Sequence, residues 1–148
     1  MENKIHRYLL FYLVILSPLI ISNCSNKRIN TMTNEEAQIS LRLSSQEASD
    51  LIKRNVRNKD FNILDVRTNK EYISGHIERS IMIDFNSETF ANNLQGLDKN
   101  KTYLIYCRSG NRSGKALLLM KEMGFMRVYE IKGGMNDWVN NKFPVVTE

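Results

Sequence analysis

The chain has 148 residues, of which 42% are hydrophobic and 25% charged, and its formal net charge is +5. These values are typical of one globular domain and exclude collagen-like, low-complexity and wholly disordered chains. The cysteines, Cys24 and Cys107, and the histidines, His6 and His76, are too few and too scattered for a disulfide-rich scaffold or a zinc finger. The charges are mixed along the chain, so no nucleic-acid partner is expected.

The amino-terminal segment is typical of an export signal. Lys4 and Arg7 precede an apolar run over residues 8–21, which as a helix of about 21 Å is shorter than a bilayer core of about 30 Å. The residues leading to Cys24 resemble a bacterial lipobox, with Asn23 where that pattern has a small residue. We predict a signal peptide over 1–23, lipid on Cys24 and a protein anchored to a membrane of the cell envelope. Ordinary signal-peptidase cleavage and a retained anchor are the alternatives.

The remaining chain divides into a tether over residues 24–43, which is polar, and a domain over residues 44–148. The segment from Ser44 to Glu47 is a capping box, which predicts a helix to about Arg54. Strands are predicted near 61–66, 81–83, 102–106 and 127–131, and helices near 69–73, 87–94, 112–123 and 135–140. This alternation favours an α/β domain with a mostly parallel sheet, whose functional site lies at the carboxyl ends of the strands.

Cys107 directly follows one predicted strand, and the loop up to Ser113 leads into a predicted helix. Gly110 permits a tight turn in which several backbone N–H groups face one point, and the helix N-terminus adds partial positive charge. Arg108 and Arg112 add full charges. A thiol in this setting is expected to ionise well below its usual pKa of about 8.5, which makes Cys107 a candidate nucleophile. A structural buried cysteine and a disulfide with Cys24 are the alternatives.

The loop from Cys107 to Ser113 resembles the active-site loop of the rhodanese domain, the fold of the thiosulfate sulfurtransferases. Further segments resemble family motifs and occur in the family's order: Leu64 to Arg67, Glu71-Tyr72, Gly75 to Ile77, and Gly133 to Met135 followed by Trp138. The resemblance covers about residues 44–144. It implies a five-stranded, mostly parallel sheet flanked by helices.

The resemblance also implies an activity. Cys107 would take sulfane sulfur from thiosulfate or a persulfide and pass it to cyanide or a thiol, which includes a thiol on a partner protein, without a metal or organic cofactor. The backbone amides of 108–113 would cradle the sulfur. The candidate substrate-binding residues are Arg108, Ser109, Gly110, Asn111, Arg112 and Ser113. Asp65 and Arg67 are predicted as a supporting pair, Arg112 as a partner of Glu71 as much as of substrate, and His76 as structural.

The length of the loop distinguishes a sulfurtransferase from the main alternative enzymes, the phosphatases and arsenate reductases. Four residues lie between Cys107 and Arg112, whereas the related dual-specificity phosphatases and arsenate reductases use five. The shorter loop suits a sulfur atom on Cys107 better than a tetrahedral phosphate or arsenate. A non-catalytic or sulfur-carrier binding module is the other alternative.

Overall fold

The computed structural model describes residues 37–147. The predicted signal peptide over 1–23 and the lipidation site Cys24 lie outside the described residues and stay predictions. Within 37–147, no helix has the length and apolar character needed to cross a membrane.

Five strands and five helices alternate along the described chain. They are β1 (Ile39–Leu43), α1 (Ser45–Arg54), β2 (Phe61–Asp65), α2 (Asn69–Ile73), β3 (Ser80–Met82), α3 (Phe90–Gln95), β4 (Thr102–Tyr106), α4 (Asn111–Glu122), β5 (Arg127–Ile131) and α5 (Gly134–Asn140). The strands form one sheet in the order β1-β5-β4-β2-β3, and every pair is parallel. The predicted α/β class with a five-stranded parallel sheet is therefore confirmed.

The predicted tether is wrong at its carboxyl end, because Ile39–Leu43 form β1 and belong to the sheet. This strand pairs in parallel with β5, from Ile39 opposite Arg127 to Leu43 opposite Ile131. It has only one neighbour and lies at the edge, so its side chains are half exposed, and Leu41 is 53% exposed. Ile39, Leu41 and Leu43 alternate with polar residues as in a strand, but the pattern is only five residues long and follows a polar stretch.

The core has two layers, one on each face of the sheet. On one face, α3 and α4 pack through Leu94 and Met120 onto Ile105 of β4. On the other face, α1 and α5 pack through Ala48 and Trp138 onto the sheet. Helices on both faces require strands that are apolar on both sides, and β4 is buried from its second residue to its last. This double cover places the end of β4 at the centre of the domain.

Candidate active site

Cys107 directly follows β4, the central strand of the sheet. Its neighbours β2 and β5 end beside it, so the thiol lies where the carboxyl ends of three parallel strands meet. Ligands of open parallel sheets bind at this edge. The residue is only 1% exposed and carries a free thiol. The structure therefore puts the predicted nucleophile at the base of a loop rather than on the surface.

The loop after Cys107 turns back over the sulfur and leads into α4. Gly110 has a φ of 89°, a left-handed conformation that favours glycine, and a Cβ there would lie 3.2 Å from the Glu130 carboxylate. This turn aims the Gly110 N–H at Cys107 Sγ at 3.2 Å, and the Ser113 hydroxyl lies 3.4 Å from the same sulfur. The N-terminus of the 12-residue helix α4 adds its partial positive charge behind them.

These contacts decide the ionisation of the thiol. Burial by itself raises the pKa of Cys107, because it disfavours the charged thiolate. Hydrogen bonds from the Ser113 hydroxyl and from the backbone N–H groups of Ser113, Ser109 and Gly110 lower the pKa by more. The net result is a thiol pKa below its ordinary value, as the cradle geometry predicts for a nucleophilic cysteine.

Arg112 is tied to Glu71, as one of the two predicted roles requires. Its Nη1 and Nη2 each donate to one carboxylate oxygen of Glu71 at 2.8 Å. Glu71 is also the third residue of α2 and closes a capping box with Thr68, from whose backbone N–H and hydroxyl it accepts hydrogen bonds. The Arg112 guanidinium lowers the pKa of the Glu71 carboxyl to about 2, against burial and with help from Thr68. One carboxylate thus joins the active-site loop to α2.

Asp65 and Arg67 form the predicted pair at the end of β2. Arg67 Nη2 lies 2.6 Å from an Asp65 oxygen, and both side chains are buried. Arg67 also donates to the Gly75 carbonyl at 2.7 Å, so the pair anchors the turn after α2. His76 lies in that turn, stacked on Tyr72 with its Nδ1 3.0 Å from the Tyr72 carbonyl. Through these contacts, the Asp65–Arg67 pair and His76 stabilise the turn after α2.

The loop's outer side chains face solvent. Arg108, Ser109 and Asn111 are exposed. The backbone below them is held by α5, whose Met135 and Asn136 N–H groups donate to the Cys107 and Arg108 carbonyls at 2.8 and 2.9 Å. Clefts of about 510 and 690 Å³ flank the loop, the first lined by Arg108 and the second by Ser109 and Asn111. The exposed loop residues therefore face the space from which a substrate would approach.

Two residues at the site were missed in the sequence. Glu130 of β5 is fully buried, and its carboxylate accepts from the Ser113 hydroxyl at 2.7 Å and from Arg42 Nε of β1 at 2.6 Å. Glu130 does carry a signal in the sequence. It is a charged residue between the apolar residues Val128 and Ile131 of a strand that is buried on both faces. The signal for Arg42 is the alternation of Ile39, Leu41 and Leu43 around it, which predicts a short strand in the segment assigned to the tether.

The described residues gather hydrogen-bond donors around one thiol. Among residues 37–147, no cluster of three or more His, Cys, Asp or Glu side chains could hold a metal ion. The donors converge on the Cys107 sulfur itself. Such an arrangement stabilises a thiolate, or an anionic sulfur attached to it.

Comparison with known proteins adds three findings. The family model described as the rhodanese-like domain matches residues 46–141. The chain is 34% identical over 87 residues to a tRNA uridine(34) hydroxylase of Pelagibacter ubique, across 58% of this chain but 29% of that protein. It is 33% identical over 99 residues to thiosulfate sulfurtransferase 18 of Arabidopsis thaliana, across 57% of this chain and 71% of that protein.

The fold has a solved counterpart that matches over nearly its whole length. A crystal structure of a rhodanese-related protein from Thermoplasma volcanium superposes with a TM-score of 0.61 and 28% sequence identity. The match covers 72% of this chain and 98% of that one. By contrast, the chain spans under a third of the hydroxylase, so that protein's reaction as a whole does not transfer from the likeness.

Proposed function

The chain belongs to the rhodanese-like domain family, and we propose that it is a sulfurtransferase that moves sulfane sulfur through a persulfide on Cys107. The observation that carries the proposal is the convergence of hydrogen-bond donors on one sulfur atom, Cys107 Sγ. The likeness to a named thiosulfate sulfurtransferase supports thiosulfate as a donor.

In the first step, the Cys107 thiolate attacks the outer sulfur of thiosulfate. A new S–S bond forms to Sγ, the bond between the two thiosulfate sulfurs breaks, and sulfite leaves with the electron pair. The outer sulfur keeps the negative charge that it carries in thiosulfate and sulfite leaves as the dianion, so the charge held by the enzyme now lies on the outer sulfur and not on Sγ. Backbone N–H groups of the loop stabilise this charge without any rearrangement, since they already point into the turn.

In the second step, an acceptor attacks the outer sulfur. Cyanide takes it as thiocyanate, and a thiolate takes it as a new persulfide, so that Sγ regains the electron pair and returns to the thiolate. The lowered pKa of Cys107 favours its thiolate, so the proposal assigns no general base. Exposed Arg108 beside the first cleft is the residue we assign to attracting anionic donors.

The phosphatase alternative is disfavoured by the length of the loop, since four residues between Cys107 and Arg112 leave less room for a tetrahedral phosphate than the five of the related phosphatases. Nη1 and Nη2 of Arg112 both donate to Glu71, which orients the guanidinium toward α2. Arg112 therefore holds the loop in shape in our proposal, and substrate charge is met by the loop amides.

Intact-mass analysis of the purified protein before and after thiosulfate tests the proposal. We expect a gain of one sulfur atom that maps to the Cys107 peptide, disappears on addition of cyanide and is absent from Cys107→Ser. Glutathione persulfide serves as a second donor. If neither donor adds sulfur while Cys107 still reacts with iodoacetamide, the sulfurtransferase proposal fails, and turnover of phosphate and arsenate esters becomes the next assay.

A further inference from the structure

Glu130 lies directly behind the Cys107 site, where the proposed reaction gives it no role. Its side chain is fully buried, while that of its ion-pair partner Arg42 is 50% exposed. The carboxylate lies 2.7 Å from the Ser113 hydroxyl, and that hydroxyl lies 3.4 Å from Cys107 Sγ. Glu130, Ser113 and Cys107 therefore form a continuous chain of polar contacts that starts in the core and ends at the nucleophile.

The Ser113 hydroxyl has one proton and two acceptors. Its 2.7 Å contact with a carboxylate oxygen is a strong, charge-assisted hydrogen bond, whereas the 3.4 Å contact with sulfur has an ordinary length for this larger and weaker acceptor. Each time the proton points to Glu130, the thiolate loses that donor. We propose that Glu130 is a positioning residue that acts through Ser113 to disfavour the Cys107 thiolate relative to the loaded persulfide.

The preference for the persulfide follows from where the charge lies, and it rests on the proposed sulfurtransferase function. In the free enzyme the charge is on Sγ, which competes with Glu130 for the Ser113 proton. After thiosulfate donates its outer sulfur and sulfite leaves, Sγ is an uncharged member of an S–S bond and needs no donor. The charge has moved one bond outward, away from the Glu130 carboxylate. The buried anion therefore favours retention of sulfur on Cys107.

Other charged groups surround the thiol and must be held constant in any test. Arg42 of β1 and Arg112 of the loop interact electrostatically with Cys107, and both are paired with glutamates. Exposed Arg108 belongs to the same loop. Asp65 and Arg67, the buried ion pair at the end of β2, neutralise each other's charge. A substitution at Glu130 alone leaves all of these in place.

The first experiment measures the thiol pKa from the pH dependence of iodoacetamide alkylation. Glu130→Gln keeps the shape of the side chain but replaces the carboxylate with a neutral, weaker acceptor for the Ser113 proton and leaves Arg42 uncompensated, so we expect the pKa of Cys107 to fall by about one unit. Glu122→Gln, which removes an exposed carboxylate at the end of α4, is the matched control and should leave the pKa unchanged. A Glu130→Gln protein with the wild-type pKa would overturn the inference.

The second experiment measures loading by mass spectrometry at pH 8 over a series of sulfite-to-thiosulfate ratios. We expect Glu130→Gln to lose its persulfide at a ratio about tenfold lower than the wild type. In a Ser113→Ala background, Glu130→Gln should have a smaller effect on both the pKa and the loading ratio, because the hydroxyl that links them is gone. Equal effects in both backgrounds would mean that Glu130 does not act through Ser113.

Failure of this inference and failure of the proposed function give different results. If the wild type takes no sulfur from thiosulfate or glutathione persulfide, the sulfurtransferase proposal fails. If the wild type loads normally and Glu130→Gln has the same loading ratio, only the role of Glu130 fails. Should Glu130→Gln not fold, Glu130→Asp keeps a carboxylate for Arg42 but withdraws it from Ser113. That variant should shift both readouts in the same direction by a smaller factor, and unchanged readouts would overturn the inference.

Discussion

Two arginine–glutamate pairs flank the Cys107 loop, and they differ in which partner water can reach. Arg112 and Glu71 are exposed to similar extents, 20% and 27%, and meet through two hydrogen bonds of 2.8 Å. In the second pair, Arg42 is 50% exposed while Glu130 is wholly buried. Removal of either member of the first pair leaves a partner that water can reach. In the second pair, removal of Arg42 leaves the Glu130 carboxylate away from water, whereas removal of Glu130 leaves an arginine that can turn to solvent.

The largest effect we expect comes from Arg42→Met, which strands the Glu130 carboxylate in the core. Loss of one partner of a buried ion pair costs about 3–5 kcal/mol, so the free energy of unfolding should fall by that amount. Glu130→Gln should cost only about 1 kcal/mol, since the half-exposed Arg42 can turn to water. Urea unfolding of the purified proteins measures both.

The control for this asymmetry is Arg57→Met, an exposed site where the same substitution should change stability by no more than about 0.5 kcal/mol. Equal losses for Arg42→Met and Glu130→Gln would show that burial of the carboxylate does not distinguish the two flanking pairs.

A smaller effect, with a distinct pH dependence, is expected at the other pair. Because the pKa of Glu71 is lowered to about 2, its contribution to stability is complete above the unfolded-state value of about 4.3 and is lost as the pH falls through about 2. Glu71→Gln should therefore be less stable than the wild type by about 1 kcal/mol at pH 7 and equally stable below pH 2. Glutamine still suits the capping box with Thr68, so the difference reports the charge.

Unfolding curves at several pH values between 7 and 2 measure this convergence, with Glu88→Gln at an exposed site as the control. A stability difference that stays constant down to pH 2 would contradict the assignment of Arg112 as the group that lowers the pKa of Glu71.

The two pairs also show how far the sequence can be read. The Arg112–Glu71 pair was anticipated as one of two roles of Arg112, because the loop and the Glu71-Tyr72 segment both resemble motifs of the same family. The strands β2, β4 and β5 and the helix after Cys107 were likewise predicted, since buried strands carry dense apolar runs. The pair of Arg42 and Glu130 was not, because it depends on an edge strand whose alternating pattern, Ile39 to Leu43, is only five residues long. Cross-strand neighbours far apart in sequence leave no periodic signal.

Arg108→Gln should have the smallest effect on stability. It distinguishes the exposed edge of the site, where Arg108 lies, from the two arginine–glutamate pairs. Arg108 is exposed, so its loss should change the free energy of unfolding by less than about 0.5 kcal/mol. Its charge should instead matter to the arriving anion. We expect the KM for thiosulfate to rise by roughly threefold to tenfold with little change in kcat, since a charge-assisted contact to the donor is lost before the S–S bond forms. The difference in KM between Arg108→Gln and the wild type should shrink at high salt, where exposed charges are screened.

The control is Lys115→Gln, which removes an exposed cation from α4 beside the second cleft and should leave the KM for thiosulfate unchanged. If the two variants raise KM equally, the field of the whole surface attracts the donor, and Arg108 has no particular place in its capture.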